Sequence, residues 1–373
     1  MTNRFAWAPG DVIVKPPRSR KSFGDPGNTQ ERGEGGRFGA AEADTTAGAT
    51  DAGYAGNTAL GDIVSAAVRD VVAGRVGTVD YQRADGLKQA NVIATGGVLV
   101  ERAQSDPQLA SQLEAAGERV VNLAMDAYPG EGQYEVMHDR LGFSSPEGVD
   151  PKEVGARYIA DRLQTTWAAT SSDGKIESQA LQMAVADRFG LSTSVIEGRA
   201  GKGEGVYDKS DTNATYANGA AQALGVATAY DSTVSVLDVA RDIADSPAVQ
   251  AYVDATYERT QSALAAGGVQ EVTLFRGMQW MTADAVPEEY RSTYRGPAGD
   301  KAEMAPLSSW STSPRIAGEE FAARSPYGVV LTSTVDASRI FSIPSTGPGC
   351  LGENEVVLTG GGVYATVKDG PRS

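Results

Sequence analysis

The sequence predicts an α+β chain: a disordered tail, then a helical block, then a small antiparallel β domain at the C-terminal end. Three observations carry this. Residues 24–59 are mostly Gly, Ala, Asp, Glu and Thr, so the segment buries too little apolar surface to offset the entropy of ordering it. From about residue 60 to 268, apolar residues recur at helical spacing. After Val269 the period changes: 272–278, 329–335 and 362–367 are rich in apolar and β-branched residues and are separated by loops, the pattern of short strands. The expected parts are a tail at 1–59, a helical linker region at 60–130, a helical subdomain at 131–268 and a β-rich core at 269–373.

In chain order, Phe5-Ala6-Trp7-Ala8-Pro9-Gly10-Asp11-Val12-Ile13-Val14 is an apolar patch inside the tail. It reads either as a docking motif for a partner or as a sticky terminus. Ile63, Val64, Ala67, Val68, Val71 and Val72 form a helical stripe, and Ser105-Asp106-Pro107 reads as a helix start; the region to 130 carries no evident chemistry. Asp150-Pro151 starts a helix with Pro at its first turn, with Tyr158, Ile159, Leu163 and Trp167 on one face. Ser172-Asp173 caps the next, and Gly190 stops it. Residues 234–244 keep helical register, and Ser246-Pro247 opens a helix that Gly267-Gly268 ends. Gly198-Arg199-Ala200-Gly201-Lys202-Gly203-Glu204-Gly205 has the look of a phosphate loop, but Gly203 stands where Ser or Thr is needed and no apolar strand precedes it. It reads as a mobile surface loop, extended by a polar connection over 208–216.

The chain has 373 residues and a net charge of −15, which suggests about two to three domains. The acidic total argues against a general nucleic-acid binder, since phosphate contacts need clustered Lys and Arg. No apolar run is long enough to cross a bilayer, and Met1-Thr2-Asn3-Arg4-Phe5 lacks the apolar core of a signal peptide. Cys350 is the single cysteine and His138 the single histidine. An internal disulfide is excluded, a zinc cluster is not supported, and catalysis by Ser-His-Asp or Cys-His has only one ring to draw on.

Three pieces in the last hundred residues carry the chemistry. Leu274-Phe275-Arg276-Gly277 puts one arginine among apolar neighbours, where its guanidinium must meet an anion. Leu307-Ser308-Ser309-Trp310-Ser311-Thr312-Ser313 is a hydroxyl row; strand alternation puts Ser311 and Ser313 on one face and Thr312 on the other. Gly352-Glu353-Asn354-Glu355-Val356-Val357-Leu358 sets two carboxylates two residues apart before an apolar run. In an extended strand Glu353 and Glu355 share a face, and Val356 and Leu358 fill the opposite one.

In this order the three pieces resemble the mono-ADP-ribosyltransferases of the Arg, Ser-Thr-Ser, Glu-x-Glu class, over residues 270–368 or so. The helical pattern Ile316-Ala317-Gly318-Glu319-Glu320-Phe321-Ala322 is also similar to that family. The resemblance implies a split antiparallel β-sandwich preceded by helices, NAD as substrate, no metal, and transfer of ADP-ribose to arginine side chains of a target protein. It implies that Arg276 holds the NAD phosphates and the Gly277 backbone meets the nicotinamide amide. It further implies that Ser311 orients Glu355, that Glu355 binds the nicotinamide ribose, and that Glu353 engages the incoming guanidinium. Thr312, Ser313 and Phe321 complete the implied NAD-contacting set. One departure stands out: residues 343–352, rich in Gly and Pro and expected to be mobile, lack the aromatic that related enzymes often carry there for substrate contact. Cys350 in this loop reads as incidental. Arg4-Phe5-Ala6-Trp7-Ala8-Pro9-Gly10-Asp11 and residues 158–167 resemble, more weakly, proteins of actinobacterial phage head-assembly regions. That implies a virion-associated transferase delivered into the host cytoplasm, with capsid or portal proteins as further partners and no membrane. A minor head protein with a transferase-like domain, or an NAD glycohydrolase, are the alternatives.

Overall fold

Helices fill the first part of the structure and one antiparallel sheet fills the last, joined by a long helix that packs on both. The computed structural model describes residues 45–47, 49–75, 83–123, 135–144, 148–169, 174–194, 196, 211–231, 234–286 and 300–369. The Phe5–Val14 patch, the Lys202 loop and the Ser172-Asp173 cap lie outside the described residues.

A short strand, β1 (Thr45–Ala47), precedes helix α1 (Asp51–Val72). The expected tail boundary at residue 59 falls inside this helix. Its first turns read as disorder because they carry small residues, yet Thr50 caps the helix by accepting from the Gly53 N–H, and the small side chains let it dock closely on the sheet. Then come α2 (Arg83–Ala103), α3 (Pro107–Leu123), α4 (Pro151–Thr166), α5 (Lys175–Phe189), α6 (Asp211–Ala223), α7 (Val236–Ala244) and α8 (Pro247–Ala266). Helix α6 covers most of the connection expected to be irregular over 208–216, because its small and polar residues carry a weak apolar stripe. The starts at Pro151 and Pro247 and the stop at Gly190 stand where the sequence puts them.

Ile159, Leu163 and Trp167 point into the helical core with Leu113, Leu181, Val249 and Tyr252. Packing therefore accounts for much of the 158–167 stretch. Helices α3 and α4 cross at near-contact of their backbones. A Cβ on Gly155 would lie 1.8 Å from the Leu113 carbonyl oxygen, and one on Gly117 would lie 1.8 Å from that of Pro151. Gly155→Ala is expected to lower unfolding stability by about 1–3 kcal/mol, the usual cost of overpacking, measured by urea denaturation. An unchanged midpoint would show that the crossing is looser.

Strands β2 (Glu271–Met278), β3 (Asp300–Ser311), β4 (Val329–Asp336), β5 (Ile340–Ser342) and β6 (Glu355–Asp369) complete the sheet. The order is β1-β4-β2-β3-β6-β5, all antiparallel. The second half of the long β6 also pairs with β4, Leu331 opposite Val367, so the sheet rolls back on itself. Inside the roll lie Val272, Leu274, Trp310, Leu331, Val356 and Leu358, with Leu60 of α1 and Leu264 of α8. Leu307, Phe341 and Val357 face the helical core instead. The period-2 alternation of β6 thus divides it cleanly: Val356 and Leu358 go to one core, and Glu355 and Val357 take the other side. Strands β2 and β3 share one register pair, Phe275 opposite Ser311. Among the described helices, none is long and apolar enough to cross a membrane.

Candidate active site

Glu355 begins β6 directly opposite Ser311 and is nearly fully buried, with 3% of its surface exposed. Both carboxylate oxygens are held. The Ser309 hydroxyl donates to Oε1, and the Cys350 backbone N–H donates to Oε2 at 2.7 Å. Burial pushes the carboxyl up to about 7; the Ser309 and Cys350 hydrogen bonds and the Arg276 charge pull it down, and Glu353 pushes it further up. Arg276 therefore lies close enough to be felt at Glu355, and its Nη1 donates to the Ser309 carbonyl at 2.5 Å. Arg276, the serine row and Glu355 lie together at one end of the sheet.

Within that group the roles differ from expectation. Ser311 does not hold the Glu355 side chain; its hydroxyl donates to the Glu353 backbone carbonyl at 2.8 Å. The cause is the turn before β6. Glu353 ends a tight turn at Leu351–Glu353, and Asn354 adopts a left-handed conformation with φ 48°, which asparagine tolerates better than most residues. That turn carries the Glu353 carbonyl to Ser311 and the Asn354 carbonyl to the Thr312 N–H at 3.1 Å. Glu353 and Glu355 are consequently not two successive same-face positions of one strand. Glu353 is half-buried on the turn, where burial raises its carboxyl, Arg324 lowers it and Glu320 raises it.

Strand β3 ends at Ser311, so Ser313 does not continue its face. Ser313 instead caps the segment that follows, accepting from the Ile316 N–H at 3.3 Å. That segment, Pro314–Ile316 continuing through a wide turn at Ala317–Phe321, packs on β2. A Cβ on Gly277 would lie 2.1 Å from the Ala317 carbonyl oxygen and 2.6 Å from the Phe321 Cβ. The glycine at 277 is thus demanded by packing, and Phe321 is half-buried beside it.

The loop before the acidic pair is fixed rather than loose: Ile343, Pro344, Thr346, Gly347 and Pro348 are all buried. Its carbonyls are gathered by the helical block. Asn91 Nδ2 donates to the Pro344 carbonyl at 2.9 Å, Arg259 Nη1 donates to that of Thr346 at 2.9 Å, and the Thr260 and Thr346 hydroxyls meet at 2.7 Å. Within the loop, the Ser342 hydroxyl donates to the Pro348 carbonyl at 2.6 Å. The end of this clamp is Cys350, whose N–H grips Glu355; the residue is exposed overall, yet partial burial of its thiol and the neighbouring Glu353 charge push the thiol pKa up. The composition of 343–352 predicts mobility, but a Gly- and Pro-rich loop with satisfied carbonyls has no reason to move. Asn91→Ala strands buried loop carbonyls at about 1–3 kcal/mol. Amide exchange at 343–350 is expected to quicken in that variant, and unchanged exchange by mass spectrometry would contradict the clamp.

Glu355, Asn354 and Thr312 open onto a cavity of about 660 Å³, within the range of small-ligand sites. Helix α1 forms its far side, a contribution the sequence reading missed because 60–130 shows only a helical stripe. Among the described residues no group of three His, Cys, Asp or Glu is placed to hold a metal ion. Set against family models, curated proteins and solved structures, the chain finds no match.

Proposed function

We propose that this protein is a mono-ADP-ribosyltransferase that cleaves NAD at the nicotinamide–ribose bond and passes ADP-ribose to an arginine side chain. The observation that carries this is Glu355, a carboxylate gripped at both oxygens in a nearly dry site and facing a ligand-sized cavity. Such a fixed charge suits a sugar that turns cationic as its leaving group departs. The C1′–N bond breaks, its electron pair leaves with neutral nicotinamide, and a guanidine nitrogen forms the new bond to C1′. Glu353, half-buried and with its carboxyl raised, accepts the proton that the guanidinium sheds. Ser309 and Cys350 hold Glu355 in place, and Arg276 braces the Ser309 carbonyl. We extend the proposal to the split β-sandwich of the transferase family, which the rolled sheet and the parting of β2 from β3 support, and to entry into a bacterial host with a virion.

Labelled NAD added to a bacterial lysate with the protein is expected to label protein, and hydroxylamine is expected to remove the label. Resistant label would refute arginine as acceptor, and nicotinamide release without labelled protein would mark a glycohydrolase. Glu353→Gln is expected to lose transfer to arginine while keeping part of the hydrolysis; equal loss of both would contradict its role. Mass spectrometry of purified particles tests the virion arm.

A further inference from the structure

The cavity beside Glu355 has a wall that the β domain does not supply. Helix α1 is pinned to β2 by its first half: the Thr50 hydroxyl donates to Glu271 Oε1 at 2.7 Å, and Asn57 Nδ2 donates to the Thr273 carbonyl at 2.7 Å. A Cβ on Gly56 would lie 1.8 Å from the Glu271 carbonyl oxygen, so the docking is backbone to backbone. The second half of α1 reaches along the cavity. Val64, Val68 and Val72, spaced four apart, make an apolar stripe there, and Val72 is 65% exposed. Arg69, also exposed, lines the same cavity. Its neighbour Asp70 is taken by Arg75, and among the described residues Arg69 forms no ion pair.

One cavity thus carries a carboxylate on the sheet side and a cation on the helix side that do not pair with each other. A ligand that fills it must bring positive character to Glu355, negative charge to Arg69 and flat apolar surface to the valine stripe. Arg276 does not line this cavity; its Nη1 serves the Ser309 carbonyl. We propose that Arg69 on α1 is the phosphate-binding cation of this site and that α1 is the wall of a dinucleotide pocket, with Arg276 a positioning residue behind Ser309. This rests on the transferase reading only in naming the ligand as NAD; the anion site stands on the cavity itself. Guanidinium suits phosphate because its fork makes paired, charge-assisted hydrogen bonds.

Calorimetry on the full chain with inorganic pyrophosphate, ADP-ribose and nicotinamide tests this. Arg69→Ala is expected to weaken pyrophosphate and ADP-ribose binding about tenfold or more, the loss of one charge-assisted contact. Nicotinamide, which carries no phosphate, should bind as in the parent, and the melting temperature should hold because Arg69 is exposed. Arg69→Lys is expected to recover part of the loss. Equal pyrophosphate affinity in parent and Arg69→Ala, or an equal loss for nicotinamide, would overturn the assignment. A parent that binds pyrophosphate through Arg69 but never cleaves NAD would sink the transferase reading and leave the anion site standing. A parent that cleaves NAD while Arg69→Ala binds every probe unchanged would do the reverse.

Discussion

Glu355→Gln is expected to abolish NAD cleavage and, at the same time, to make the protein more stable. The amide keeps the shape of the carboxylate and can satisfy both neighbours, accepting from the Cys350 N–H and donating to the Ser309 hydroxyl. It removes the charge that would stabilise the cationic sugar, which should cost at least about 10²–10³-fold in rate. The stability gain follows from burial. The carboxyl is pushed from its ordinary 4.5 up to about 7, so the folded chain holds this proton more tightly than the unfolded chain. Native stability from this group is complete below about pH 4.5 and is lost as pH rises through about 7. The glutamine variant escapes that loss, a gain on the order of 3 kcal/mol above pH 7 that fades toward pH 4. Denaturant titrations of both proteins across this range, beside nicotinamide release, read both halves. Retained cleavage, or a stability difference flat with pH, would contradict the assigned place of Glu355.

Ser309→Ala and Ser311→Ala are expected to fail in different ways, which separates the two hydroxyls. The Ser309 hydroxyl donates to the ionised form of Glu355 and so lowers its proton affinity. Without it the carboxyl should rise beyond about 7. The acid limb of the rate profile should then move up by about one pH unit, since a hydrogen bond to a charged group is worth at least that much. Activity at neutral pH drops and returns on the alkaline side. Ser311 bonds to a backbone carbonyl of the turn, so its loss should cost about 1 kcal/mol of stability and leave the acid limb where it was. Rate profiles from pH 5 to 9 decide: a shift in the Ser311 variant with none in the Ser309 variant would reverse the roles.

The confusion between these serines shows where sequence reasoning reaches its limit. Two same-face hydroxyls on one strand are equivalent to a reader who knows only alternation. Register decides between them, and register depends on groups far along the chain. Strand β3 slips between Met304 and Leu307 against β6, and the left-handed turn at Asn354 sends the Glu353 carbonyl to Ser311. Ser309 is then the hydroxyl left to meet the carboxylate. The loop at 343–350 teaches the same lesson: its residues look mobile one by one, and only Asn91 and Arg259, about 250 and 90 positions earlier, explain why its carbonyls are satisfied.

What the sequence determined by itself was local. The cap at Asp150, the helix start at Pro247, the stop at Gly190 and the change of period after Val269 need only neighbouring residues, because capping, proline geometry and alternation act within a few positions. The presence of Arg276 and a serine row on β segments, and of Glu355 before an apolar strand, was legible for the same reason; the turn that takes Glu353 off that strand was not. Tertiary structure alone decided which hydroxyl grips Glu355, how far burial raises its carboxyl, and that α1 faces it across a cavity. Each of these depends on desolvation and close approach between segments that lie tens to hundreds of residues apart, and no pattern within a single segment records such distances.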